Sequence, residues 1–258
     1  MVFDSFFNTI FGPLINFNIL FAVIFVSFLI SLIMTLVYKW MTDQHLMKSL
    51  KEDMKSHQSE IKKHKDNPQK MLELQKLAMD KNMKYMMHSM KPTLVTFIPI
   101  IIIFGWLSSS LAYVPLYPTM EFSVTLDFLP AATGSVELIA PKDLKDITVL
   151  EEQTDNKYIK AIQNNQATFK LKGNSPGEYI LDFKHGDKTY SKDILITTSQ
   201  QYKPILKAIN DDAIKSIKVN HQDLKILNLF GWKLGWLGTY ILTSIIFSMG
   251  LRKLLKLH

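Results

Sequence analysis

Cysteine is absent from the 258 residues, which excludes a disulfide, a thiolate metal site and a thiol nucleophile. Any portion outside the cytoplasm must therefore hold together by core packing alone. Arginine is almost absent: of 30 basic residues 29 are lysine, and Arg252 is the only arginine. The two differ in how they hold charge in a dry site, since a guanidinium is planar, weakly hydrated and always charged. Catalytic signatures are missing too. There is no histidine pair at zinc-protease spacing, no phosphate-cradling glycine loop and no Gly-x-Ser-x-Gly elbow. His45, His57, His64, His88, His185, His221 and His258 all lie outside the long apolar runs, and none has a second ligand at metal spacing. The acidic pairs Glu151–Glu152 and Asp211–Asp212 read as solvated surface. No catalytic residue, metal or cofactor is expected. Nor is a cleavable signal peptide, because the first 16 residues carry no Lys or Arg and no small-residue cleavage site follows.

What is present is sharply segregated. The mean hydropathy of +0.07 averages very apolar blocks with very polar ones, so class is read segment by segment. Residues 1–16 carry Phe3, Phe6, Phe7, Ile10 and Phe11 on one helical face and end at Gly12-Pro13. This is the pattern of an amphipathic helix lying in a membrane interface, although a short helix packed on protein has the same pattern. Residues 17–38 are 22 residues without charge, enough to cross a hydrocarbon core of about 30 Å. A second uncharged run of 22 residues covers 93–114, where Pro99 predicts a kink. A third span is expected from Leu234 to Leu251, followed by Arg252, Lys253 and Lys256.

Between the first two spans, residues 39–92 form a charged segment with twelve lysines against seven acids and nine of the 13 methionines. Met47, Leu50, Met54, His57 and Ile61 follow the 3-4 spacing of a coiled-coil seam, and Leu72, Met79, Met83, Met86 and Met90 do so on a second limb, with Lys76 filling one slot. Asn67 suits an N-cap and Pro68 a first helical turn, which makes the segment a helical hairpin. Pro92 is expected to end its second limb. Two readings of the methionines stand side by side. They pack the limbs together, or Met79, Met83, Met86, Met87 and Met90 offer a flexible thioether surface to varied apolar partners.

From Pro115 the apolar period becomes two. Strands are expected at 122–128, 136–140, 147–150, 158–162, 167–171, 179–183 and 190–197, with turns at Ser175-Pro176-Gly177 and His185-Gly186-Asp187. Residues 115–230 are thus a small antiparallel sandwich, with an amphipathic helix at 204–217 and residues 224–230 leading back to the membrane. Residues 231–258 supply the third span and a basic tail. The fold class is an α-helical membrane protein, with three transmembrane helices, a cytoplasmic helical hairpin and an extracytoplasmic all-β insert. Orientation follows from charge: hairpin and C-terminal tail are basic, whereas 115–225 has 14 lysines against 15 acids. The positive-inside bias places hairpin and C-terminus in the cytoplasm, and the N-terminus and β insert outside a plasma membrane.

Polar residues inside the spans are the candidate site. Ser27, Ser31, Thr35 and Lys39 recur every four residues on the first span. Thr93 and Thr96 lie near the same edge of the second, and the third holds Thr239, Thr243, Ser244 and Ser248. These faces suit a shared, hydrated groove. Equally, Ser and Thr are tolerated in membrane helices because they bond back to their own backbone.

The layout, together with the segment from Gly231-Trp232-Lys233 through Ser244 to Arg252-Lys253-Leu254-Leu255-Lys256, resembles the archaeal YidC-like insertases. These belong to the superfamily of YidC-type insertases and the insertase-like subunit of the endoplasmic reticulum membrane protein complex. The resemblance covers the membrane core and hairpin, about 150 residues. It implies a membrane protein insertase or chaperone that passes short polar segments of nascent membrane proteins through a hydrophilic intramembrane groove open to the cytoplasm. A charge near a helix centre costs roughly 2.5–3.5 kcal/mol on insertion scales, so a few polar groups there matter. Many relatives carry a groove arginine. With none read within a span here, Lys39 is the expected substitute, drawing acidic tails to the groove. Nascent chains, ribosomal RNA and anionic lipid headgroups are the expected partners of the basic hairpin. The competing reading is a membrane-anchored sensor or scaffold, with an external β ligand-binding domain and a cytoplasmic coiled coil.

Overall fold

A computed structural model describes residues 4–64, 66–139 and 146–257 of the chain. Phe3, Lys65, Ala140 and His258, which enter the sequence reading, lie outside the described residues. The chain divides into two units. One is helical and comprises residues 1–106 and 226–258; the other, residues 107–225, is built mainly of strands.

In the helical unit, α1 (Asp4–Phe17) runs through Pro13 rather than ending at Gly12-Pro13. Proline deletes one hydrogen bond, and the remaining ladder carries the helix on. The break comes at Asn18, which is extended (φ −162°, ψ 115°) and caps α2 (Ile19–Met41) by accepting a bond from Phe21 N–H. With 23 residues, α2 is about 34 Å long at 1.5 Å per residue, sufficient for a bilayer. Its buried residues, Ala22, Val23, Val26, Ser27, Ile30, Ser31, Thr35 and Tyr38, form one stripe at 3–4 residue spacing.

Asp43 starts α3 (Gln44–Lys63) by accepting from His45 and Leu46 N–H. After the turn at Asp66-Asn67, Asn67 Oδ1 accepts from Lys70 N–H and α4 (Pro68–Leu111) begins. The cap at Asn67 is as expected. The end at Pro92 is not: α4 is one helix of 44 residues through both Pro92 and Pro99. Each proline costs the ladder one N–H donor and the other bonds carry the helix on; beside Pro92, Thr93 Oγ1 donates to Ser89 O and Thr96 Oγ1 to Pro92 O.

The seam between limbs also differs from the sequence expectation on one side. On α3, Met47 and Leu50 are buried as expected. On α4 the less exposed positions are Met71, Leu74, Ala78, Lys81, Tyr85 and His88, a 3-4 series of its own. Leu72, Met79, Met83, Met86 and Met90 point away from it and are exposed. Lys81 earns its place there by pairing with Asp53 of α3 at 2.7 Å. Their hydrogen bond, and after it the attraction of the opposite charges, lowers the Asp53 carboxyl and raises the Lys81 ammonium from their usual values.

The last part of the helical unit is a short hairpin, β10 (Leu227–Leu229) and β11 (Trp232–Leu234), followed by α5 (Trp236–Leu254). The expected helix start at Leu234 is displaced because residues 232–234 pair with 227–229. The hairpin turn is Phe230-Gly231 with φ of 51° and 95°, both positive as a two-residue type I′ turn demands. The left-handed region costs an L-residue about 1–2 kcal/mol, and Asn or Asp is the usual occupant. Among the described residues, α2 and α4 are the helices long and apolar enough to cross a membrane. Serines, threonines and the terminal Arg252-Lys253 lower the hydropathy of α5.

In the other unit, nine strands among the described residues make two antiparallel sheets. The strands are β1 (Glu121–Phe128), β2 (Ser135–Ile139), β3 (Ile147–Val149), β4 (Tyr158–Ala161), β5 (Gln166–Gly173), β6 (Gly177–His185), β7 (Lys188–Ile196), β8 (Leu206–Ala208) and β9 (Ile214–Asn220). Their orders are β3-β5-β1-β9-β8 and β4-β2-β6-β7. Alternate residues from both sheets fill one core, in which the rings of Phe169 and Phe183 lie 5.6 Å apart. All seven expected strands are present. The expected helix at 204–217 is not: Ile214, Ile217 and Val219 face the core from β9, which pairs with β1. Its apolar spacing imitates a helix because the register with β1 shifts at Asp127/Phe128, which puts Ile214 and Ile217, three residues apart, on the same core face. The expected boundary at 230 also moves, since the sheet unit ends at Lys225.

At the start of this unit, Tyr202 and Gln200 hold the backbone of 108–113. Tyr202 Oη accepts from Ala112 N–H and donates to Ser108 O, while Gln200 Nε2 donates to Ser110 O and Tyr113 O. His221 Nδ1 donates to Val114 O at 2.8 Å, with its ring 5.6 Å from that of Tyr202. Burial pushes the His221 imidazole below its usual 6.5. The unfolded chain therefore binds this proton first, so stability falls with pH below about 6.5 and is flat above it. Protection factors of the β-strand amides, which are corrected for the intrinsic pH dependence of exchange, should fall between pH 7 and pH 5 in the full chain, and less so in His221→Gln.

Candidate functional site

Three helices of the helical unit border a half-open cavity of about 420 Å³, lined by Ser31, Met34, Thr35 and Tyr38 of α2, Pro92, Thr93 and Thr96 of α4, and Tyr240, Ser244, Ile245, Ser248, Met249 and Arg252 of α5. Each contribution is one helical face. On α2 the positions are i, i+3, i+4 and i+7; on α5, Tyr240, Ser244, Ser248 and Arg252 step by four. Ring contacts set the helices in place. Phe28 meets Phe247 at 5.3 Å, so α2 and α5 run in the same direction, with Arg252 over Tyr38 further along. Phe104 of α4 packs on Trp236 and Tyr240 of α5 at 5.7 and 4.7 Å. Trp106 donates to Asn8 Oδ1 at 2.8 Å and stacks near Phe7 and Phe11, which fixes α1 to α4.

Six of the ten expected groove residues meet in this cavity: Ser31, Thr35, Thr93, Thr96, Ser244 and Ser248. Four do not line it. Ser27 and Thr239 are fully buried between helices and bond back to Val23 O and Gly235 O, and Thr243 bonds back to Thr239 O. Lys39 is exposed. Helix geometry explains its absence. At about 100° per residue, each four-residue step drifts by about 40°, so Lys39 lies about 80° around from Ser31 while Tyr38 lies about 20° away. Tyr38, not Lys39, completes the stripe.

The lining divides chemically. Thr35, Thr93 and Thr96 each donate their hydroxyl proton to a backbone carbonyl one turn back, leaving oxygen lone pairs for the cavity. Ser244 Oγ is different: it is buried and has no hydrogen-bond partner among the described residues. A buried hydroxyl left unpaired costs about 1–3 kcal/mol, which water or a guest polar group would relieve. The volume holds on the order of ten waters. At the far end sits Arg252, its guanidinium 5.1 Å from the centre of the Tyr38 ring. Sequence reading placed Arg252 in the tail beyond the third span. Because α5 continues to Leu254, the residue stays in register with Ser244 and Ser248. The four-residue recurrence from Tyr240 was the available signal.

The five methionines expected to meet clients, Met79, Met83, Met86, Met87 and Met90, are all exposed on α4, on the turns leading to Pro92 at the cavity wall. Among the described residues no three His, Cys, Asp or Glu side chains gather as metal ligands.

The sequence matches the family described as integral membrane protein EMC3/TMCO1-like over residues 8–136. The chain belongs to this family. Its relatives fall within the YidC/Oxa1/Alb3/EMC insertase superfamily. The matched segment contains two of the three cavity walls, α2 and α4, and the hairpin between them. No match was found to a curated protein or to a solved structure. Family membership makes this an integral membrane protein and points to an insertase-related role.

Proposed function

We propose that the chain is a non-enzymatic membrane protein insertase whose cavity between α2, α4 and α5 gives short polar segments of nascent membrane proteins a wet place halfway across the bilayer. The observation that carries this reading is a cavity walled by apolar helices yet lined by hydroxyls, with a buried Ser244 hydroxyl that has no partner among the described residues and a guanidinium at one end. In this reading α5 is the third span. The basic hairpin and C-terminus face the cytoplasm, and the N-terminus and β unit lie outside a plasma membrane. The exposed methionines of α4 receive an apolar client segment, while Ser31, Thr35, Thr93, Thr96, Ser244 and Ser248 solvate the polar stretch that crosses. Arg252 takes the role the sequence suggested for Lys39, because its charge borders the cavity. Basic side chains on α3 and α4 suit a ribosomal RNA or anionic lipid surface near the site of delivery.

The test is reconstitution. The full chain in lipid vesicles, offered an in vitro synthesised client with one apolar helix and a short polar tail, should render that tail resistant to external protease. Equal protection in protein-free vesicles would overturn the proposal.

A further inference from the structure

The β10–β11 hairpin has features that cavity and insertion leave unexplained. Its register pairs Leu227 with Leu234 and Leu229 with Trp232. Paired residues share a face, so these four form an apolar face and Asn228 and Lys233 a polar one. A two-stranded ribbon this short has no core of its own in which to hide that face. At its tip Phe230 is fully exposed and Trp232 is 63% exposed. The tip is also held in a turn that Asn would fit better, with Phe230 at φ 51° and Asn228 Oδ1 accepting from Gly231 N–H. A protein that keeps an aromatic ring at a strained, fully exposed turn position has a use for the ring rather than for the turn.

Its place in the unit says what the ring meets. The base of the hairpin is anchored, since Leu234 is buried against the first turn of α5, where a Cβ on Gly238 would lie 3.1 Å from a Leu234 methyl. The hairpin therefore sits at the N-terminal end of α5. That is also the end where α2 starts, because α2 and α5 run in the same direction. It is the level of α1 as well, through Trp106 with Asn8 and Phe104 with Trp236. At this same level α1 exposes Phe6, Ile10 and Phe17. One helix and one ribbon, far apart in sequence, both present aromatic residues where a membrane-crossing helix leaves the bilayer. Amphipathic rings of this kind concentrate at the boundary between headgroups and acyl chains.

We infer that the β10–β11 hairpin is a lipid-surface anchor, with Phe230 and Trp232 seated in the headgroup–acyl boundary beside the start of α5 and Lys233 on its polar face toward headgroup phosphates. The anchor holds the N-terminal end of α5, a wall of the cavity, at a set depth.

Because the chain has no cysteine, Phe230→Cys creates a unique labelling site. The full chain carrying an environment-sensitive fluorophore there is reconstituted in phosphatidylcholine–phosphatidylglycerol vesicles. Lys55→Cys, exposed on α3, serves as the comparison. The label at position 230 should be quenched by lipids bearing a nitroxide near the headgroup, and be severalfold less accessible to aqueous iodide than the label at position 55. Equal iodide access at both positions overturns the anchor. Protection from both quenchers also overturns it, because the tip then rests on protein. The unlabelled chain supplies an independent readout in which the hairpin is intact. Brominated lipids should quench a component of its tryptophan emission that Trp232→Phe removes, and the same quenching in both proteins contradicts the inference.

Discussion

Arg252→Gln should slow the insertion of clients with acidic polar tails by about tenfold, while Lys39→Gln stays near wild type. The size follows from the contact being replaced. A hydrogen bond to a charged group contributes about 1.5–3 kcal/mol, and partial hydration of an open cavity holds the gain to the low end of that range. About 1.4 kcal/mol is a factor of ten. The contrast between the two cations is geometric: Arg252 borders the cavity with its guanidinium over Tyr38, whereas Lys39 is turned to the outside. Arg252→Lys should restore part of the rate, since an ammonium keeps the charge but loses the planar fork and the stacking on the ring. Clients with neutral tails should be slowed much less. A reconstituted time course with matched acidic and neutral clients separates these effects. Equal loss for both client classes would mean that Arg252 only braces α5 against α2.

Removing hydroxyls from the cavity should move activity and stability in opposite directions. In Ser31→Ala/Ser244→Ala the lining keeps its volume and loses two polar groups. Ser244 Oγ has no protein partner among the described residues, so its deletion should leave the protein as stable as before, or more stable by about 1 kcal/mol. Insertion should nevertheless fall by about tenfold or more, because each polar group of a crossing tail left without a partner costs on the order of 1–3 kcal/mol. Thermal unfolding in detergent alongside the vesicle assay makes the comparison. Parallel loss of both quantities would assign the serines to helix packing.

Much of this was legible in the sequence, for reasons that differ by element. The uncharged run that became α2, the Asn67-Pro68 helix start and the seven alternating strands are local patterns, and local patterns survive folding. The misreadings share a cause, which is that tertiary context decided the outcome. Pro92 was expected to stop a helix, but the loss of one backbone donor left the rest of the ladder intact and α4 continuous. The second-limb seam was assigned to the methionines, yet Leu74 and the Lys81–Asp53 pair took that face and left the methionines outside. Residues 204–217 imitate a helical period because a register shift in β9 brings Ile214 and Ile217, three residues apart, onto one face. In the site, the hydroxyl stripes were visible as spacing, but a four-residue repeat drifts around a helix. That drift carried Lys39 off the cavity and left Tyr38 on it. Arg252 was overlooked because charge at the end of an apolar run reads as a tail, and only the length of α5 returns it to the lining.

The central claim is that a client's polar segment enters the cavity between α2, α4 and α5. A photoactivatable side chain at Ser31, which lines that cavity, tests it most directly when irradiated during client insertion in reconstituted vesicles. The account predicts adducts to the polar tail of stalled clients, together with adducts to their apolar helix from a second probe at Met83. If the probe at Ser31 labels only lipid, or the probe at Met83 labels one fixed cytosolic protein whatever client is supplied, the cavity is not the route and the chain acts as a scaffold.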